Sequence, residues 1–395
     1  MKKEYYLLLI IFLLFIVYLL VPSSIKNTNK EEINEKRAVF ISYIELGNYL
    51  KDKDEKNIKD SINNMLDNVK NFGFNMVILQ VRSFSDAIYP SSIFPSGRSV
   101  VNKEGDKLPF DILDYFIKES HRRNLELHAW INPYRISNAT DTSIISKENP
   151  AHDMLDTSDI EIIEDKGIYY NPASSKVETL ILAGIEEIIK NYDVDGIHFD
   201  DYFYPASLTI DEMEYTKALE ENNNLTLQNF RLNIITSLIK KTYSLIKDYD
   251  EKILFGISPD GNIDNNYNSN YLDTRLFCSE EGFVDYLMPQ VYYGFLNSTK
   301  PFEETVKSWN NLITADIDLI PALAFYKTGN VDSYAKEGVN EWVLYNNIIA
   351  REVLLSRELS NYSGFALFRY DSIFGSNLTK ASFLEKENLK NILSE

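Results

Sequence analysis

From residue 38 onward, short apolar runs of strand length alternate with longer stretches whose apolar residues recur at helical spacing. The strand-like runs fall at 38–43, 75–81, 125–131, 194–200, 253–258, 284–292, 319–325 and 364–369. Between them Ile181, Ile185, Ile188 and Ile189 form one helical stripe, and Phe230, Ile234, Ile235, Leu238 and Leu245 form another. Eight repeats of strand and helix predict an α/β chain folded as a (β/α)8 TIM barrel. An open doubly wound sheet is the alternative, and no glycine-rich fingerprint follows the first strand to support it.

The chain before this pattern is different in kind. Behind Lys2 and Lys3, residues 5–21 form an unbroken apolar and tyrosyl run, close to the shortest helix that spans a bilayer. Residues 20–24, LVPSS, match a small-x-small cleavage site poorly. Residues 1–22 are therefore read as a retained signal-anchor or transmembrane helix, with its amino end cytoplasmic and the rest of the chain outside; secretion after cleavage is the alternative. Residues 23–36 are polar and read as a flexible linker, which leaves 37–395 as the barrel domain.

Composition narrows the partners. Asp and Glu number 59 against 40 Lys and Arg, a formal charge of -19 that repels a phosphate backbone and excludes nucleic acid as a partner. The single cysteine, Cys278, allows no internal disulfide and no cysteine metal pair. A hydrophobic fraction of 44% is ample for a packed core. Oligomeric state is not legible.

Strand alternation sorts the polar residues, because successive side chains face opposite sides of a sheet. In the fourth strand Ile197 and Phe199 should face the helices, so His198 and Asp200 face the axis, with Tyr202 at the rim. The same argument sends His128, Trp130 and Asn132 inward from the third strand. It sends Gln80 and Arg82 inward from the second, and Gln290 and Tyr292 from the sixth. The seventh and eighth strands are apolar on both faces and have no readable orientation. Two long loops follow strands, 82–108 and 133–171, at the end of a barrel where active sites form.

The segment DGIHFDDYFYP at 195–205 resembles the hallmark of the glycosyl hydrolase-like 10 family of bacterial secreted or envelope proteins. GFN at 73–75, QVR at 80–82, DAIYPS at 86–91, LELHAWINPYR at 125–135, FGISP at 255–259 and DYLMPQVY at 285–292 are similar to further family segments in the same order. DGNID at 260–264 departs from the family, whose members carry an aromatic-rich stretch there. The resemblance implies a barrel glycosidase acting on bacterial polysaccharide, with some relatives acting on peptidoglycan glycan strands freed of their peptides. The motif is also distantly similar to the acidic strand of family 18 chitinases, but Tyr202 stands where their acid glutamate would fall, so that mechanism is not transferred.

Glycoside hydrolysis needs a proton donor and a second carboxylate. Asp200 is assigned as general acid or base and Asp201 as its partner, with Asp86, Asp260 and Glu45 in reserve. Arg82, His128, Asn132, His198 and Gln290 are expected to orient the acids or bind sugar hydroxyls. Trp130, Tyr134, Tyr202, Tyr204 and Tyr292 are expected to line sugar subsites, and Arg135, Asp86 and Asp260 complete the substrate-binding set. The assignment has a glycan substrate, membrane attachment through the amino-terminal helix, no cofactor and no metal. Two rivals are a metal-dependent hydrolase with His128, His198 and Asp200 as ligands, and a cell-wall carbohydrate-binding barrel without turnover.

Overall fold

The computed structural model describes residues 35–200, 203–205 and 207–394. The segments expected to form the amino-terminal helix and most of the linker, together with Asp201 and Tyr202, lie outside the described residues. Among the described residues no helix is long and apolar enough to cross a membrane.

All eight expected strands are present as one parallel sheet. The staves are β1 (Lys36–Ile41), β2 (Met76–Arg82) and β3 (Glu126–Ile131), then, after a small second sheet of β4 (Arg135–Ser137), β5 (Ile160–Ile163) and β6 (Gly167–Tyr170), β7 (Gly196–Phe199) and β8 (Leu254–Ile257). They continue with β9 (Tyr286–Leu287), β10 (Asp318–Leu319), β11 (Ala322–Leu323) and β12 (Gly364–Leu367). The order is β10-β9-β8-β7-β3-β2-β1-β12-β11, and its two ends are halves of one run interrupted at Pro321. That run is bonded on both sides. Ile320 N–H donates to Leu287 O at 2.9 Å on one flank, while Ala366 N–H donates to Pro321 O at 3.0 Å and Phe368 N–H to Leu323 O at 3.0 Å on the other. The sheet therefore curls back on itself as a TIM-barrel-like α/β fold.

Amphipathic helices pack on the outer face. Helix Glu55–Phe72 starts on Asp54, whose side chain accepts from Asn57 N–H, and stops at Gly73 in the left-handed region at φ 106°. It buries Ile58, Ile62, Met65, Leu66, Val69 and Phe72, each worth roughly 1.5–3 kcal/mol of apolar transfer. In helix Ser175–Asn191 the predicted stripe of Ile181, Ile185, Ile188 and Ile189 is buried. In helix Leu227–Tyr249, Phe230, Ile235 and Leu238 are buried, with Ile234 and Leu245 at the margin.

A second apolar cluster fills the axis, including Phe40, Ile78, Trp130, Tyr286, Met288 and Ile320. Thus β10–β12, which had no readable phase, point Ile320, Ala322 and Ala366 inward. The loop at 133–171 holds the antiparallel sheet β4-β6-β5 instead of remaining irregular. Its strands are three or four residues long and partly exposed, too short to show a period.

Candidate active site

Two glycines make room for the floor of the site. A Cβ on Gly196 would lie 2.4 Å from His128 Nδ1, and one on Gly256 would lie 2.0 Å from the Tyr286 ring. The rings from β3 and β9 therefore lie across β7 and β8 inside the barrel. The Tyr286 hydroxyl sits 2.9 Å from His128 Nδ1 and 3.0 Å from His198 Nδ1, and His198 Nε2 sits 3.1 Å from Ser258 Oγ. Burial, with nearby His128 as a lesser cause, holds His198 well below the usual imidazole range, so it stays neutral.

Above this floor opens a cavity of about 370 Å³ at the carboxyl ends of the strands, lined in part by Gln80, Trp130, Arg135, Asp200, Gln290 and Tyr292. Asp200, 4% exposed, follows the last residue of β7 and faces this cavity. Trp130 Nε1 donates to its Oδ2 at 3.1 Å. Gln80 accepts from Tyr43 N–H at 2.9 Å and donates to Asn132 Oδ1 at 2.9 Å, while Gln290 donates to Ser258 O at 3.1 Å. Alternation therefore delivers axial polar groups from β2, β3, β7 and the run after β9 to one opening. Larger cavities of about 420, 570 and 670 Å³ lie elsewhere, one among residues 89–96 and 105–108, one by Glu126 at the opposite end of the strands and one among residues 103–106 and 142–148. None of them collects residues from the carboxyl ends of several strands, so the chemistry is placed in the smaller one.

Several expected site residues are elsewhere. Arg82 was expected inward, but a bulge between Gln80 and Arg82 pairs it with Ile131 and turns it to the outer face. There it is 1% exposed, its guanidinium 3.7 Å from the Phe94 ring centroid and close against Gly184, whose added Cβ would lie 2.2 Å from Nη1. Burial lowers its pKa. Asp86 is also buried, accepting from Phe84 N–H at 3.1 Å beneath Gly97, and burial pushes its pKa up to about 6. His128 and His198 belong to the floor, both 0% exposed, and do not reach the cavity. Asn132 is reached only through Gln80.

Tyr134 packs in the outer core, having passed beyond the last inward position of β3. Tyr204 donates to Asp211 at 2.6 Å, and Asp211 is held by Arg231 through bonds of 2.6 and 2.7 Å, a buried cluster that anchors the chain after Asp200. Asp260 accepts from Asn262 N–H at 2.7 Å and shapes the turn into helix Ile263–Asn268, the point of departure from the family pattern. Glu45 is fully buried, capping helix Tyr43–Tyr49 through Ser42 and ion-paired with Arg369. Of the three residues of the metal-ligand rival, His128 is bonded through Nδ1 to Tyr286, and His198 is bonded to Tyr286 and Ser258. Among the described residues no group of three His, Cys, Asp or Glu side chains could hold a metal ion.

Four aromatic residues at the mouth escaped the sequence reading: Tyr43, Phe84, Tyr326 and Phe368. Three line the cavity, and Phe84 packs on Tyr43 at 5.3 Å. None carried a usable signal: Phe368 follows a strand that is apolar on both faces, and the others lie past the strands, where alternation ends.

A parallel curled α/β sheet with a carboxylate and aromatic rings at its carboxyl end defines the class of barrel glycoside hydrolases, and the comparisons with known proteins agree. The chain belongs to the glycosyl hydrolase-like 10 family, whose model matches residues 35–339. It is 30% identical over 363 residues to glycosyl hydrolase YngK of Bacillus subtilis, covering 85% of this chain and 68% of that protein. It is 29% identical over 338 residues to glycosyl hydrolase DigH of Escherichia coli, covering 78% of this chain and 74% of the relative. Among solved structures it is similar in fold to the PgaB (BpsB) glycoside hydrolase domain from Bordetella bronchiseptica, with a TM-score of 0.59 at 12% identity over 91% of this chain and 99% of that one. The β-amylase catalytic domain from Paenibacillus polymyxa is similar too, with a TM-score of 0.54 at 10% identity over the same shares of 91% and 99%.

Proposed function

We propose that this chain hydrolyses glycosidic bonds in bacterial cell-envelope polysaccharide, with peptide-free peptidoglycan glycan strands as the substrate to test first. The observation that carries the reading is the Asp200 carboxylate, aimed into the mouth and hydrogen-bonded by Trp130. Asp200 acts as general acid or base, and Asp201, the next residue in the chain, supplies the second carboxylate. Two facts support that pairing: Asp86, Asp260 and Glu45 are committed to structural bonds, and among the described residues no second carboxylate lines the cavity. Trp130, Gln290 and Tyr292 contact the sugar, and Arg135, on β4 beside the opening, contributes positive charge. The apolar run at 5–21 would hold this activity on the outer side of the membrane.

The test is incubation of the full-length protein with peptide-free glycan strands, alongside Asp200→Asn. The expected result is soluble fragments from the wild type and a rate about 10²–10⁴ lower in the variant. Asp200→Asn cleaving at the wild-type rate would overturn the assignment. Strands retained by the wild-type protein without cleavage would establish the binding barrel instead.

A further inference from the structure

A line of polar groups crosses the apolar axis from one end of the barrel to the other. It starts at Glu126, the first residue of β3, beside the cavity at the far end of the strands. Glu126 Oε2 lies 3.7 Å from His128 Nε2, and both atoms are buried with no hydrogen-bond partner among the described residues. The line continues through His128 Nδ1, the Tyr286 hydroxyl and the two ring nitrogens of His198 to Ser258 Oγ, with steps of 2.9, 3.0 and 3.1 Å. Ser258 follows the last residue of β8 and lines the mouth cavity together with Asp200. The register that sets His198 against Gly256 and Phe199 against Ile257 brings Asp200 and Ser258 side by side, about one strand spacing of 4.8 Å apart.

Such a line has a direction, set by where its hydrogens sit. Burial pushes the Tyr286 hydroxyl well above its usual range, so it keeps its hydrogen, and His198 is neutral. A phenol between two ring nitrogens donates to one imidazole and accepts from the other. The end at Glu126 decides which. Contact with His128 holds the Glu126 carboxyl below its usual range against the opposing effect of burial, so a carboxylate stands there. At 3.7 Å a carboxylate oxygen attracts an N–H and repels a ring lone pair, which places the His128 hydrogen on Nε2. Nδ1 of an imidazole with one hydrogen then accepts from the Tyr286 hydroxyl, and Tyr286 accepts from His198 Nδ1–H. His198 Nε2 is left as an acceptor, and Ser258 Oγ–H donates to it.

We infer that Ser258 is a substrate-binding acceptor: its hydrogen is committed to His198, so its oxygen offers the mouth only lone pairs and holds a donating sugar hydroxyl beside Asp200. His198, Tyr286, His128 and Glu126 are positioning residues that act through it. The inference rests on the proposed glycan substrate for the identity of that hydroxyl, but the direction of the line does not. A serine free to rotate accepts and donates alike. One locked in this sense selects against ether and ring oxygens, which have no hydrogen to give.

The experiment has two arms, both on full-length protein. The first reads the imidazole nitrogens by NMR in protein with isotope-labelled histidine at about pH 8, where an ordinary imidazole carries one hydrogen. The chain has 4 histidines, and His121→Gln and His152→Gln assign the two that lie outside the axis. The expected result is hydrogen on Nδ1 of His198 and on Nε2 of His128, with His198 becoming a mixture of both forms in Glu126→Ala. Hydrogen on Nε2 of His198, hydrogen on both nitrogens of His128, or a His198 signal indifferent to Glu126→Ala would overturn the inference. The second arm titrates Asp200→Ala protein with peptide-free glycan oligomers. Adding Ser258→Ala should weaken binding about tenfold. Adding Glu126→Ala, at the other end of the barrel, should weaken it about twofold, because half of the Ser258 hydroxyls would then be turned the wrong way. Affinity unchanged by either substitution, or no binding at all, would overturn Ser258 as the sugar acceptor. Cleavage by Asp200→Ala at the wild-type rate would sink the catalytic assignment alone and leave the histidine result standing.

Discussion

Replacing Glu385 with glutamine tests how burial of acids tunes the stability of the carboxyl-terminal part of the barrel. Helix Lys380–Leu393 sends Glu385 under the start of helix Ile348–Ser356, where its carboxylate accepts from Ile348 N–H at 2.8 Å and Ala350 N–H at 3.1 Å. Asn347, the helix's own N-cap residue, makes no side-chain cap bond, so Glu385 serves as the cap from another element. The side chain is fully buried, and burial raises its pKa from 4.5 to about 7 against the opposing pull of those backbone donors and Arg351. Glu352, buried with neither carboxyl oxygen hydrogen-bonded, is pushed well above the usual range by burial and then by Glu385.

A raised acid means that the folded state binds more protons than the unfolded chain between pH 4.5 and about 7. Its contribution is complete below 4.5 and is lost as pH rises through about 7. At 1.36 kcal/mol per pH unit, the loss amounts to about 3 kcal/mol. Glutamine keeps the shape and one acceptor but cannot ionise. The stability of Glu385→Gln relative to wild type should therefore rise by about 3 kcal/mol between pH 4 and pH 8, read by urea unfolding of the full-length proteins at each pH. A difference that stays constant to within about 0.5 kcal/mol would refute the reasoning.

Two further predictions follow the same logic of buried geometry. Gly256→Ala drives a methyl group into the Tyr286 ring, so it should lower stability by about 1–3 kcal/mol or prevent folding; an unchanged thermal midpoint would show that the floor can yield. Asp211→Asn strips the carboxylate from fully buried Arg231 and should cost about 3–5 kcal/mol. Because the pair anchors the segment after Asp200, kcat should fall with it, and kinetics indistinguishable from wild type would remove the anchor from the mechanism.

Strand phase explains which parts of this architecture were legible. β2, β3, β7 and the run after β9 alternate apolar with polar residues, so the inward placement of Gln80, Trp130, Asp200 and Gln290 could be read directly. The seventh and eighth staves are apolar on both faces, so periodicity could not show that Ala322, Ala366 and Phe368 face the axis. Arg82 misled because a bulge adds one residue and reverses the phase at the last position, with no glycine to announce it. His128 and His198 were read as inward, as they are, but alternation gives direction and not depth. Their burial one layer below the mouth depends on Gly196 and Gly256, small residues on neighbouring strands. Tyr204 and Asp260 lie past the strand ends, where local hydrogen bonds decide orientation.

The pairing of β1 with β12, Lys36 to Gly364 through Val39 to Leu367, joins the beginning of the domain to a segment well past residue 339, where the family match stops. A fragment cut at that boundary would lose the stave between β1 and β11 and bare both of their backbone edges. Such edges seek other chains, so the fragment would clump instead of dissolving as a catalytic unit. Helix Lys380–Leu393 is tied into the same closure, its Leu393 carbonyl accepting from Arg37 beside the first stave.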